Sequence, residues 1–165
     1  MTPAPEFDLQ SHSTISDGSL PPGEVVAQAA QAGVKLLALT DHDAVDGVDE
    51  ALEAARAHGI RVVPATELSA LDAGYEDFHI LGYGLDHHSP VLLAALTDFR
   101  IDRNLRGSRM AAALVEAGWQ LDRSALDARE AAGRPVGRPH LPRSCSITPP
   151  TPRASPRRNS ATSAP

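Results

Sequence analysis

Between Phe7 and Leu85, short apolar runs of strand length alternate with longer stretches whose apolar residues recur at helical spacing. The run from Phe7 to His12 predicts a strand with polar residues gathering at its end. Pro21-Pro22 then opens a helix that runs to Ala32, with Val25, Val26, Ala29 and Ala30 as its apolar face and Gly33 as its stop. Lys35 to Thr40 is a continuous apolar run too short for a typical helix, as a buried parallel strand requires. Asp46 to His58 predicts a second helix with Val48, Leu52 and Ala55 on one stripe, ended by Gly59. Ile60 to Ala65 predicts a third strand and Phe78 to Leu85 a fourth. Strands spaced by helices point to right-handed βαβ units, and so to a parallel sheet or barrel.

The rhythm changes at Pro90. A long helical segment is predicted from there to about Gly118, with a shorter one over Ser124–Ala132. Arg100, Arg103, Arg106 and Arg109 recur at three-residue steps, which drift round a helix and give a curved basic stripe. This region is expected to be a helical insertion or cap beside the βα unit. Pro142 to Pro165 is a different kind of sequence, with six Pro, five Ser, four Arg and three Thr among 24 residues. It has no periodicity and cannot form a core, so disorder is expected. The organisation is therefore a flexible N-terminus over 1–6, a βα portion over 7–89, a helical cap over 90–141 and a disordered tail over 142–165.

Charge sharpens this picture. The chain of 165 residues carries a formal net charge of −6, but the tail holds four Arg and no acid, so the rest carries −10. An acidic body is a poor non-specific nucleic-acid binder, and no stable binding to duplex DNA is expected. A phosphorylated substrate would need local positive charge, for which metal ions are the obvious candidates. No stretch approaches the ~20 apolar residues of a membrane span, so no membrane association is expected. The N-terminus has neither the basic nor the apolar region of a secretory signal. Cys145 has no second cysteine with which to pair, which fits a reducing cytosol, and a cytoplasmic location is expected.

Four polar clusters sit at or near predicted strands. They are Asp8-Leu9-Gln10-Ser11-His12 with Ser16-Asp17-Gly18, then Thr40-Asp41-His42-Asp43, then Glu67, then His79. In parallel α/β folds the carboxyl ends of strands converge on one pocket. Imidazole and carboxylate together suit Mn, Fe, Zn or Co, and no thiolate set competes. Glu67 is placed to bridge two ions. Paired ions clamp attacking and leaving oxygens in phosphate-ester hydrolysis and supply hydroxide at neutral pH, so no separate catalytic nucleophile is needed. No Gly-x-Ser-x-Gly elbow and no P-loop occurs. Taken singly, these residues have plainer roles: Asp17 before Gly18 as a turn residue, Asp43 or Asp46 as a helix N-cap, His42 or His79 as a structural histidine. Four clusters each offering a ligand go beyond what structure alone requires. His58, His87 and His88 are assigned no role.

These residues resemble the PHP (polymerase and histidinol phosphatase) domain family. Its opening Asp-x-His-x-His motif and following Ser-Asp-Gly are represented by Asp8, His12 and Ser16-Asp17-Gly18. Its Thr-Asp-His-Asp motif is complete at residues 40–43, Glu67 matches the third strand's Glu, and His79-Ile-Leu-Gly-Tyr83 is complete. Gly137-Arg138-Pro139-His140 resembles a segment of a small phosphoesterase subgroup that carries a helical insertion. The resemblance implies an α/β fold, the N-terminal part of a distorted (β/α)7 barrel, with two or three divalent ions that hydrolyse phosphate esters.

The subgroup's substrates are nucleoside 3′,5′-bisphosphates and the 5′ ends of short RNA, so a small phosphorylated substrate is expected; composition gives no oligomeric state. The implied metal ligands are His12, Asp17, His42, Glu67 and His79, with Gln10 as a further candidate. Asp8 and Asp41 are implied as supporting groups, and Arg103, Arg106 and Arg138 as contacts to substrate phosphate. Gln10 departs from the motif's first histidine, and an amide oxygen is the weaker ligand. The family's later His-Pro and Asp-x-His segments do not follow His140. The chain is therefore expected to be truncated, weakly active or inactive, with its last 24 residues either a native basic tail or translated out of frame; the resemblance favours the latter. The alternatives are a non-catalytic binding module with an Arg/Pro tail and, among enzymes, histidinol-phosphate phosphatase or a polymerase-associated PHP domain.

Overall fold

The computed structural model describes residues 6–72 and 75–144. The elements run β1 (Phe7–Ser11), α1 (Pro22–Gln31), β2 (Leu36–Leu39), α2 (Val48–His58), β3 (Arg61–Asp72), β4 (Tyr75–Tyr83), α3 (Pro90–Glu116), α4 (Ser124–Ala131) and α5 (His140–Ser144). One four-stranded sheet has the order β1-β2-β3-β4. β1, β2 and β3 are parallel, as the intervening helices require, with Leu37 opposite both Asp8 and Val62. Among the described residues no helix is long and apolar enough to cross a membrane.

Why α1 and α2 start and stop where they do follows from their sequences. Pro22 opens α1 with its φ already set for a helix. Gly59 ends α2 in the left-handed conformation, φ 68°, that a side chain disfavours. Both helices lay an apolar face on β2. Val26, Val34, Leu37, Leu39, Ala51 and Ala55 form the buried cluster between them. Each fully buried Val or Leu there contributes about 1.5–3 kcal/mol by leaving water. A second cluster of Val45, Val48 and Leu96 seats α3 against the sheet and α2. A third, of Ala111, Leu126, Val136 and Leu141, holds α4 and the segment after it on the far half of α3.

Three expectations need correction. The fourth strand is antiparallel to the third, not parallel, with Ser69 opposite His79 and Glu67 opposite Leu81. Only two residues separate β3 from β4, and a parallel pair needs a crossover of about a dozen. β3 accordingly runs on past Ala65 to Asp72, so Glu67 lies within a strand and not beyond its end.

Just before β1, the Glu6 carbonyl accepts from the Lys35 and Leu36 amides and its carboxylate pairs with Lys35 Nζ at 2.6 Å. At the other end α5 continues through Ser144, past the expected tail boundary at Pro142, because Leu141 is buried and the Ser144 carbonyl accepts from Asp122 N. Residues 1–5 and the tail from Cys145 onward lie outside the described residues.

The sheet curls. The Tyr83 hydroxyl at the end of β4 donates to the Leu9 carbonyl of β1 at 2.8 Å, across the two intervening strands. The concave face so formed carries the polar clusters.

Candidate metal centre

The loop after β1 is folded around one buried carboxylate. Asp41, 2% exposed, accepts from Ser13 N and Ser13 Oγ (2.8 and 2.6 Å) and from Ser16 N and Ser16 Oγ (3.2 and 2.6 Å). Four donors offset the cost of burying the charge. Gly18 closes the same loop through its amide to the Ser13 carbonyl, and a Cβ there would stand 2.3 Å from the His12 carbonyl oxygen. His12 and Asp17 are thereby turned toward each other.

The segment after β2 supplies the next donor. Past Leu39 the chain makes one more parallel bridge, His42 to Glu67, through Asp43 N to the Glu67 carbonyl and Glu67 N to the Asp41 carbonyl. His42 and Glu67 are therefore adjacent by backbone pairing. His79 arrives from β4, on the same face as Glu67 and diagonal to it, within reach for antiparallel neighbours.

The five side chains converge. His12 Nδ1 is 3.2 Å from Asp17 Oδ1 and His12 Nε2 is 3.1 Å from Glu67 Oε2. His42 lies between the two carboxylates, with Nε2 3.6 Å from Asp17 Oδ2 and Nδ1 3.8 Å from Glu67 Oε1. His79 Nδ1 is 2.5 Å from Glu67 Oε1. Two overlapping groups result, His12–Asp17–His42 and His42–Glu67–His79, each with donor atoms within 4.8 Å of one another. Divalent metal binding fits this donor set. His42 Nδ1 is buried with no hydrogen-bond partner among the described residues, as a nitrogen meant for an ion would be.

Protonation follows the same geometry. Hydrogen bonds from His12 and His42 hold Asp17 far below the usual carboxylate range. Burial pushes Glu67 up, but the charge on His42 and the bonds from Gln10 and His79 leave it below its ordinary value. Burial likewise opposes charge on His12, yet the bond to Asp17 and the charges of Asp17, Glu67 and Asp41 raise it. Both carboxylates are therefore anionic at neutral pH, ready to bind cations.

Residues 8–120 match the family described as PHP domain. The chain belongs to that family. A 3′,5′-nucleoside bisphosphate phosphatase of Chromobacterium violaceum is 43% identical over 112 residues, covering 68% of this chain and 39% of that protein. A 5′-3′ exoribonuclease of Haemophilus influenzae is 39% identical over 113 residues, 68% of this chain and 41% of the relative. A solved structure from Bifidobacterium adolescentis, described as a metal-dependent phosphoesterase, superposes with a TM-score of 0.73 at 29% identity, over 84% of this chain and 48% of that one. The chain spans about two-fifths of the length of the curated relatives it matches.

In this PHP domain the ligand cluster opens into a cavity of about 470 Å³. Its lining includes His42, His79, Arg103, Arg106, Arg138 and Met110. The basic stripe does not act as a unit. Arg100 pairs with Asp46 at 2.9 Å, and Arg109 is exposed. Arg103 is buried, its Nε bonded to Asp43 Oδ2 at 2.9 Å while Nη2 has no hydrogen-bond partner among the described residues. Asp43 is thus no helix cap; it also accepts from Ser69 N and Ser69 Oγ, both at 2.7 Å, and Gly47 precedes α2. Its φ of 50°, unusual outside glycine, is held by these bonds.

Two further expectations shift. Gln10, expected as a further candidate ligand, donates its amide nitrogen to Glu67 Oε2 at 3.1 Å. Asp8 is exposed and accepts from Gln10 N at 3.2 Å, one residue removed from the ligand side chains it was expected to support.

Sequence reasoning missed the contribution of the cap. Arg129 Nη2 and His140 Nε2 (3.1 Å) both reach the Ser16 carbonyl, next to Asp17. His140 Nδ1 accepts from Gly137 N at 3.0 Å, so the neutral tautomer with its proton on Nε2 satisfies both bonds. The Gly-Arg-Pro-His segment gave the only sequence hint; Arg129 gave none.

Proposed function

We propose that this PHP domain serves a metal-dependent phosphoesterase acting on phosphate esters of nucleotides or short RNA. The observation that carries this is the convergence of three imidazoles and two anionic carboxylates, of which His42 and His79 line a cavity that also holds three arginines. His12, Asp17 and His42 would hold one divalent ion and His42, Glu67 and His79 another, drawn from Mn, Fe, Zn or Co. Bound there, such ions supply hydroxide at neutral pH and offset the charge that develops on phosphate oxygens. Asp41 and Gly18 fix the first ligand pair, and Gln10 orients Glu67. Arg106 and Arg138 place guanidinium forks where a phosphate would enter, and Arg103, anchored by Asp43, directs Nη2 toward it. The acidic remainder disfavours duplex DNA and leaves a small substrate as the fit for this cavity.

The reading is tested by stripping the chain with chelator and restoring Mn, Fe, Co or Zn while following phosphate release from adenosine 3′,5′-bisphosphate. Divalent-ion uptake that falls in Glu67→Gln, with at most weak release that returns only when the ion is restored, is the expected outcome. A chain that binds no divalent ion, or whose turnover ignores chelator, overturns it.

A further inference from the structure

Separate from the donors around Glu67, three more converge at the first turn of α2. Asp49, in the first turn of that helix, faces the loop between β4 and α3. His87 Nε2 lies 3.0 Å from Asp49 Oδ1, and His88 Nε2 lies 3.4 Å from the same oxygen. The two rings stand 4.1 Å apart, tilted by 39°. The three donor atoms all lie within 4.8 Å of one another, and none of these residues belongs to the groups around Glu67.

We infer that Asp49, His87 and His88 form a second cation site, whose donors suit a borderline divalent ion such as zinc. Four-coordinate zinc bonds of about 2.0–2.2 Å place neighbouring donors roughly 3.3–3.5 Å apart. The two measured separations, 3.0 and 3.4 Å, already approach that spacing. The loop is held in shape without help from the histidine side chains. Asp86 Oδ1 accepts from His88 N at 3.1 Å and the Asp86 carbonyl accepts from Ser89 N at 3.0 Å.

His87 is itself largely enclosed, its side chain 13% exposed, so one imidazole is placed before any ion arrives. The hydrogen bond from His87, with the neighbouring His88, keeps the Asp49 carboxyl below its usual range and so anionic. Sequential imidazoles that both aim Nε2 at one oxygen gain little as exposed ion pairs. As ligands they supply a two-imidazole, one-carboxylate set that leaves positions for water. An ion here would tie the start of α2 to the entry of α3.

Zinc titration decides between an ion site and plain histidine–carboxylate hydrogen bonds. The metal-stripped full chain is titrated with zinc alone beside a His87→Ala/His88→Ala variant, with circular dichroism confirming that both fold. The variant is expected to take up about one equivalent less. In a His42→Ala/Glu67→Gln background, about one equivalent should remain, raise the melting temperature, and disappear when Asp49→Ala is added. Equal uptake by the unsubstituted chain and the His87/His88 variant, or zinc retained in the background after Asp49→Ala, overturns the inference.

Discussion

Asp41 and Gly18 settle where His12 and Asp17 point, although neither touches the space between them. The clash predicted for a Cβ at Gly18 is with backbone, which cannot rotate away. Gly18→Ala is therefore expected to cost about 3 kcal/mol and to lower bound metal, read by denaturation and by elemental analysis of the purified chain. His140 offers a test by pH. Burial and the charge of Arg129 lower its pKa, so the unfolded chain takes up the proton first as pH falls. Its contribution is full above the ordinary imidazole value of about 6.5 and is lost below it. His140→Gln keeps a donor for the Ser16 carbonyl but does not titrate. Between pH 7.5 and 5.5 the unsubstituted chain should lose stability relative to that variant, by at most about 1.4 kcal/mol per pH unit. A parallel decline in both chains would show that His140 does not carry the effect. At this scale the convergence of His12, Asp17, His42, Glu67 and His79 was legible because donor-type residues cluster where the predicted strands end. Ser13, Ser69 and Arg129 were not, since a serine or arginine carries no mark of the backbone it will meet.

At the scale of elements, α3 is locked to the sheet through the Arg103–Asp43 pair, both partners being buried. Removing one partner of such a pair strands the other charge. Arg103→Met is expected to destabilise by about 3–5 kcal/mol, and Asp43→Asn combined with it by much less than the sum, as a denaturant double-mutant cycle would show. The helices were readable from Pro22, Gly59 and Pro90, which punctuate them, and β1 to β3 from their apolar runs. The antiparallel turn of β4 was hidden because Phe78, Ile80 and Tyr83 have the same pattern in either direction. Pairing direction depended on the short span after Asp72, where no helix fits. α5 escaped notice because Pro142 and Ser144 have weak helical propensity, and burial of Leu141 prevails.

For the whole molecule, ligands that bind only the folded chain must stabilise it. A divalent ion at one hundred times its Kd adds about 2.7 kcal/mol, which at this length is roughly 5–11 °C in Tm. In a His87→Ala/His88→Ala background, where only the Glu67 cluster remains, the rise should be largely lost on adding Glu67→Gln, monitored by thermal scans with and without chelator. The curl of the sheet also leaves Phe7 and Leu9 on β1, and Phe78 and Ile80 on β4, open to solvent at the two outer strands. One carbonyl links the parts of this molecule most distant in sequence. Because Arg129 and His140 both grasp Ser16 O, α4 and the Gly137–His140 segment cannot swing off the cavity as a hinged flap without loosening Asp17 in the same stroke.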